Sequence, residues 1–265
     1  MAIRKISLNE LGAYSPWIRR LKEGKKLFEK TPASLMREYN EDKYAQLMAC
    51  KTFVDAIQAY RGPKEETAYS RHGELFVDDK DAVYELRQKI MLEALRPTLE
   101  MVEMVIELGA GFGQTVRSIQ EAYPALAYRA GEYTPNGVAL GQKLLPGVQF
   151  YPFNFYKAGD WDRIFDGVEN ALVFTVHAVE MIPDATLFVR EVQRQKNKIH
   201  SVVNFEPIYR DDGTELSRYR MKYIEINSYC QNILQSILNP RKIEEDFFGV
   251  NPLFPKTFIE WDLHS

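Results

Sequence analysis

The sequence predicts an α/β fold, a doubly wound and mostly parallel sheet of seven strands with a helical segment ahead of it. Three observations carry this. From Val102 onward, short apolar runs alternate with amphipathic stretches of helical period, the pattern of strand–helix repeats. The first of those runs opens into a glycine-rich turn that leads directly into a helix pattern. The run Ala171–Val176 is apolar throughout, as a strand covered on both faces must be.

The chain ahead of Val102 reads as mostly helical. Trp17–Lys30 carries Trp17, Ile18, Leu21, Leu27 and Phe28 among lysines and arginines. Glu41–Tyr60 has an apolar stripe of Tyr44, Leu47, Met48, Phe53, Val54 and Ile57, and Gly62-Pro63 stops it. Gly62–Val77 is polar and reads as an irregular loop. Tyr69, Arg71 and His72 are candidates there for substrate contact, with a plain solvated loop as the alternative. Asp78–Leu99 returns to helix, and Pro97 weakens its last turn. Residues 1–100 are therefore expected to form a helical N-terminal cap packed on a domain of residues 101–265.

The seven strands are expected at Val102–Glu107, Ala127–Tyr133, Val148–Phe153, Ala171–Val176, Ile199–Phe205, Lys242–Phe248 and Thr257–Leu263. Helices are expected at Gln114–Ala122, Gly137–Leu145, around Asp160-Trp161-Asp162, and at Thr186–Gln195. Ser217–Leu238 reads as one long amphipathic stretch.

Composition narrows the class. The 265 residues fit one large α/β domain with an added segment, and 45% hydrophobic with 27% charged residues is ordinary for a globular protein. A net charge of −3 provides no global basic field to recruit nucleic acid. Cys50 and Cys230 lie far apart, form neither a zinc spacing nor a disulfide framework, and suit a reducing cytoplasm. No apolar run approaches the roughly 20 residues a bilayer span needs. The start, Met1-Ala2-Ile3-Arg4-Lys5-Ile6, lacks the apolar core of a signal peptide. The expectation is a cytoplasmic enzyme, with a homo-oligomer left open.

The chemistry centres on Val102–Thr115. Met104-Val105-Ile106 ends in Glu107 and opens into Gly109, Gly111 and Gly113, followed by Val116, Ile119 and Ala122 at helix spacing. Glycine lets a second molecule approach the main chain, and the turn ends at a helix N-terminus with outward N–H groups. The Gly-x-Gly-x-Gly spacing differs from the Gly-x-Gly-x-x-Gly that seats a pyrophosphate. Glu107 would repel a phosphate and suits a cationic, amino-acid-like ligand.

Glu107-Leu108-Gly109-Ala110-Gly111-Phe112-Gly113 resembles the first motif of the class I S-adenosylmethionine (SAM) dependent methyltransferases, a Rossmann-like methyltransferase fold. The resemblance runs from about Val102 to the C-terminus. It implies SAM as cofactor, with its methionine part against Gly109, Ala110, Gly111 and Gly113 and its amino end anchored by Glu107. It also implies that the last two strands form an antiparallel hairpin. Glu132, at the end of the second strand, is placed to accept the ribose hydroxyls, and Tyr133 to cover the adenine edge. The resemblance further places Asn154 against the adenine amino group, and Phe155 is suited to stack on the purine.

Ligands in open α/β sheets bind beyond the carboxyl ends of the strands. That puts Thr175, His177 and Glu180 near the transferred methyl, with His177 as general base and Glu180 orienting it or binding substrate. Glu206, closing the fifth strand, is expected to face the same crevice. His177, Glu180 and Glu206 would also be a set able to hold a divalent metal, although the spacing is not diagnostic and no metal is assigned. Tyr209 and Asn251 lie on segments expected to wall the substrate site. The favoured activity is O-methylation of a small molecule or glycan. Peptide or protein N-methylation, an NAD-dependent oxidoreductase and a catalytically silent SAM-binding protein are the alternatives.

Overall fold

The computed structural model describes residues 3–23, 31–63, 65–237 and 239–263. In chain order the elements begin with strand β1 (Arg4–Ile6) and helices α1 (Leu11–Tyr14), α2 (Pro16–Lys22) and α3 (Pro32–Leu35). A π-helical stretch, Met36–Tyr44, runs into α4 (Ala45–Leu47), and α5 (Phe53–Arg61) follows. Next come β2 (Glu66–Arg71), β3 (Glu74–Asp79) and α6 (Lys80–Leu99). The α/β portion then runs β4 (Met104–Leu108), α7 (Gln114–Ala122), β5 (Ala127–Glu132), α8 (Pro135–Leu144), β6 (Gln149–Pro152), α9 (Ala158–Ile164), β7 (Ala171–Val176), α10 (Thr186–Arg194) and β8 (Ile199–Glu206). Helices α11 (Glu215–Ile226) and α12 (Ile233–Ser236) precede the final pair, β9 (Pro240–Phe248) and β10 (Lys256–Trp261).

Strands β4 to β10 form one seven-stranded sheet in the order β6-β5-β4-β7-β8-β10-β9. β4 to β8 pair in parallel. β10 is antiparallel to both neighbours, β8 and β9. The expected seven-stranded, mostly parallel, doubly wound sheet with a terminal antiparallel hairpin is what forms.

Side chains along each strand alternate between two cores. Val105, Leu172, Val203 and Phe258 face a core shared with Ile90, Val116, Ile119 and Leu140. Their strand neighbours Ile106, Val173, Val202 and Ile259 face the other core, with Trp161, Phe188, Val192 and Ile233. Most strand residues in the middle of the sheet are buried on both faces, as the continuous apolar runs require.

The N-terminal region is less helical than its sequence suggests. Gly62–Val77 is not an irregular loop, because β2 and β3 pair as an antiparallel hairpin, with β1 added beside β3. Its two-residue turn, His72-Gly73, has φ of 50° and 81°, and both positive values match the right-handed twist of a tight hairpin. The expected Glu41–Tyr60 helix is broken. Thr52 starts α5 with a reciprocal cap, accepting the Asp55 N–H while its own N–H donates to the Asp55 carboxylate. Ser217–Leu238 likewise splits, with Ser228 at φ 55° between α11 and α12. Of the expected Trp17–Lys30 helix, α2 is described, while Leu27 and Phe28 fall outside the described residues.

Asp246, on β9, fastens the small sheet to the large one. Its carboxylate accepts from Ser70 Oγ at 2.6 Å, the Gly73 N–H at 2.8 Å and Arg220 Nη2 at 2.9 Å. Ser70 and Gly249 also bridge the two sheets through the main chain. Both members of the Arg220–Asp246 pair are largely buried, so removing one strands the other's charge. Asp246→Ala is expected to lower the unfolding free energy by about 3–5 kcal/mol in a urea titration, well beyond an exposed ion-pair deletion.

Candidate active site

The glycine turn follows β4. The N–H groups of Gly109 and Ala110 both donate to the Gly131 carbonyl, at 2.8 and 3.0 Å, which ties the turn to β5. Gly109 has φ 77°, and a Cβ there would stand 2.3 Å from the Ala178 Cβ. Glycine is therefore required by the close approach of the turn that follows β7. Gly113 has φ 91°, and its missing Cβ faces Leu145 and Phe150, the protein's own core. Gly113 thus shapes the loop without lining the cavity, a correction to its expected cofactor contact.

A cavity of about 810 Å³ opens at the carboxyl edge of the sheet. Of the residues singled out in the sequence, Glu107, Gly109, Ala110, Gly111, Glu132, Tyr133, Asn154, Phe155, His177 and Asn251 line it. The size is within the range of small-molecule sites.

The two glutamates at the strand ends are buried in its wall. Glu107 Oε2 accepts the Val116 N–H at 3.0 Å, and burial pushes its carboxyl up to about 8, against the opposing pull of that hydrogen bond and of Arg87. Glu132 Oε2 accepts the Gly111 N–H at 2.9 Å, and Oε1 accepts the N–H and hydroxyl of Thr134 at 2.8 and 2.5 Å. Burial raises its pKa as well, opposed by those bonds. The Tyr133 N–H hydrogen-bonds Glu132 as well, so protein donors take up the roughly four acceptor sites of the carboxylate. Asn154 accepts the Tyr156 N–H through Oδ1 at 2.9 Å, a turn-forming bond that leaves its amide NH₂ uncommitted by that contact.

His177 lies at φ 53°, a strained conformation for a residue with a side chain. Its N–H donates to the Phe205 carbonyl at 3.1 Å, and its ring stacks on Phe254 at 5.1 Å between centroids. Nδ1 lies 2.7 Å from Glu180 Oε2. With the Glu180 carboxylate as acceptor, Nδ1 would carry the hydrogen and Nε2 would keep its lone pair. Burial, then the nearby Lys256 and Arg87 charges, hold the imidazole well below its usual pKa, so the ring is neutral. Glu180 is 1% exposed and sits behind the histidine, away from the cavity lining.

Glu206 and Thr175 are corrections. Glu206 is fully buried, and its carboxylate accepts the N–H groups of Ala178, Val179 and Glu180 at 3.0–3.3 Å. Thr175 is fully buried too, accepting from Asn204 Nδ2 at 2.8 Å. Neither lines the cavity. With Glu206 engaged by main chain, His177, Glu180 and Glu206 do not come together as one ligand set. Among the described residues no group of three or more His, Cys, Asp or Glu is arranged to hold a metal ion.

The expected substrate contacts from the hairpin are also corrected. Tyr69 is 3% exposed and packs between Phe76 and Phe248. Arg71 and His72 belong to the hairpin end, and the His72 N–H donates to the Asp246 carbonyl at 2.7 Å. Tyr209 bonds Glu225 outside the cavity.

Sequence reasoning missed Tyr39, Tyr44, Arg87 and Lys256, all of which line the cavity. One signal was present for Arg87: it follows Val83 by four residues and precedes Ile90 by three, on the apolar stripe of α6.

No family model matches this sequence, and no curated protein matches it. Solved structures share its fold. An O-methyltransferase family protein from Burkholderia thailandensis superposes with a TM-score of 0.50 at 14% identity, over 93% of this chain and 68% of that one. PigF with SAH gives 0.44 at 12% identity, over 66% and 57%. SAM-bound CalS10, an amino pentose methyltransferase from Micromonospora echinaspora, gives 0.35 at 18% identity, over 44% and 48%. The chain thus spans about half the length of the last two. At such identities the likeness is one of fold.

Two outcomes test the site's electrostatics. Glu206→Ala orphans three buried N–H groups and is expected to cost about 1–3 kcal/mol or more, read from thermal unfolding. Between pH 5 and 8 native Glu107 keeps a proton that the unfolded chain has released, so stability falls as pH rises through that window. Glu107→Gln is expected to flatten that slope in urea titrations run across the same range.

Proposed function

We propose that this chain, whose fold is that of the class I SAM-dependent methyltransferases, transfers a methyl group from SAM to a hydroxyl oxygen of a small-molecule or glycan acceptor. The observation that carries it is the His177–Glu180 pair at the cavity, with Nδ1 2.7 Å from the carboxylate.

The residues fit the cofactor. A buried carboxylate raised to about 8 calls for a cationic partner, and Glu107 would find it in the ammonium of the methionine end. The main chain at Gly109–Gly111 would lie along that end. Glu132 would take a ribose hydroxyl in exchange for the Thr134 hydroxyl, and Tyr133, Asn154 and Phe155 would surround the base. When bound, SAM supplies an electrophilic methyl on a sulfonium.

The chain's own part is positioning and proton removal. His177 Nε2 would accept the proton of the acceptor hydroxyl, while the methyl that SAM would supply leaves its sulfur for that oxygen and S-adenosylhomocysteine is released. The imidazolium formed is stabilised by Glu180 at Nδ1, at 2.7 Å. The proton then leaves to solvent from Nε2. Residues 1–100 act as the cap: Tyr39 and Tyr44 of the π-helical stretch and Tyr60 of α5 close the cavity and limit water around the reacting oxygen.

Calorimetric titration with S-adenosylhomocysteine (SAH) and with NAD tests the cofactor. SAH is expected to bind and NAD to be ignored, and the reverse result ends this reading. His177→Ala is expected to keep SAH affinity while methyl transfer, followed with radiolabelled SAM, falls about 10²–10⁴-fold. Turnover left intact would remove His177 from the role of base.

A further inference from the structure

Two cationic side chains line the cavity that the proton-transfer scheme above does not use, Arg87 and Lys256. Arg87 comes from α6, in the N-terminal region. Lys256 is the first residue of β10, and the reversed direction of that strand brings it to the carboxyl edge, where its neighbour Thr257 pairs with Glu206. Lys256 is 3% exposed. Among the described residues neither cation has a carboxylate within 4.0 Å. Arg87 Nη2 has Thr115 Oγ1 at 3.3 Å, and its Nε is buried with no hydrogen-bond partner.

The nearby carboxylates are already committed. Glu180 serves His177, and Glu206 serves the main chain of 178–180. Glu107 takes the Val116 N–H. Burial and the Arg87 charge hold the Lys256 ammonium well below its usual pKa, with Glu180 and Glu206 opposing only in part. Lys256 is buried and Arg87 half-buried, and two such cations near one another without a counter-charge are costly, a cost that an anion between them removes. A guanidinium offers a planar pair of donors and an ammonium a point charge, a combination suited to a carboxylate or phosphate. The phenols of Tyr60 and Tyr84 line the same cavity and add donors.

We propose that Arg87 and Lys256 form an oxyanion subsite, and that the acceptor carries an acid group, a carboxylate or phosphate, seated there while its hydroxyl faces His177. This rests on the methyltransferase reading. The methionine carboxylate of the cofactor has the same chemistry and is the competing source. Lys256 favours the acceptor, because its neighbour Thr257 pairs with Glu206, whose carboxylate holds the turn that follows His177, the end of the cavity where the acceptor hydroxyl must lie.

The test is titration of the full chain with inorganic phosphate at constant ionic strength, with and without saturating SAH, followed by ³¹P resonance. Phosphate is expected to bind the SAH-saturated protein, and Lys256→Met and Arg87→Met each to weaken it at least about tenfold. Lys256→Met replaces a buried charge with an apolar group of similar length, so its thermal midpoint is expected to hold. Lys256→Arg is expected to recover phosphate binding. Phosphate bound only without SAH would assign the pair to the cofactor's carboxylate and overturn the acidic acceptor. Binding indifferent to both variants would mean an adventitious ion only and would overturn the subsite. SAH that fails to bind, with variant-sensitive phosphate binding intact, would remove the methyltransferase reading and leave the anion subsite standing.

Discussion

The carboxyl edge of the sheet depends on one buried carboxylate. Glu206 has no solvent exposure, and its two oxygens gather the N–H groups of three consecutive residues, Ala178, Val179 and Glu180. Thr175 also hydrogen-bonds it. Thr175 in turn accepts from Asn204, and Asn204 Oδ1 accepts from Trp261 Nε1 at 2.8 Å. The chain of polar groups therefore crosses β10, β8 and β7. A carboxylate removed from water is costly unless several donors replace the water, and here the donors come from a turn that would otherwise have unsatisfied N–H groups. Each side supplies what the other lacks. The turn is held tightly enough for His177 to keep a positive φ and for Ala178 to press against Gly109.

From that anchor the cavity's chemistry follows. With Glu206 fixing 178–180, Glu180 is delivered behind His177, and the imidazole tautomer is set by the carboxylate at Nδ1. Phe254 stacks on the His177 ring and limits its rotation. The surrounding charges then act on each other. Glu107 and Glu132 have raised pKa values, and His177, Arg87 and Lys256 have lowered ones, with burial the first cause in every case. Five titratable groups around one cavity are thus displaced toward neutrality, each chiefly by its removal from water.

Local pattern made most of the α/β portion legible. The strand Ala171–Val176 and the helix Gln114–Ala122 have the ends the sequence predicts, because an all-apolar run and a glycine turn are local signals. The hairpin at β2 and β3 was not legible for the same reason. Its inward residues include Ala68 and Ser70, small or polar, and Ser70 is buried only because Asp246, far along the chain, accepts its hydroxyl. Rules about strand ends locate the level of a residue along the sheet but not the direction of its side chain, which alternates. Both Glu132 and Glu206 close strands, yet Glu132 reaches the cavity wall and Glu206 turns into the protein. Arg87 and Lys256 escaped notice because each comes from an element whose contribution depends on tertiary placement.

That placement is a consequence of strand direction. In a fully parallel sheet the first residue of a strand lies at the amino edge, far from the ligand crevice. β10 enters between β8 and β9 in the opposite sense, so its first residue, Lys256, and the loop before it arrive at the carboxyl edge. The same reversal delivers Asn251 to the cavity and Phe254 to the His177 ring. It also sets Trp261, at the far end of β10, within reach of Asn204 to complete the polar chain behind the site. One antiparallel strand therefore supplies Lys256 to the cavity, closes the wall beside His177 and anchors the polar network behind it. A chain truncated before β10 would keep the glycine turn and both strand-end glutamates but lose Lys256 and the packing that places His177.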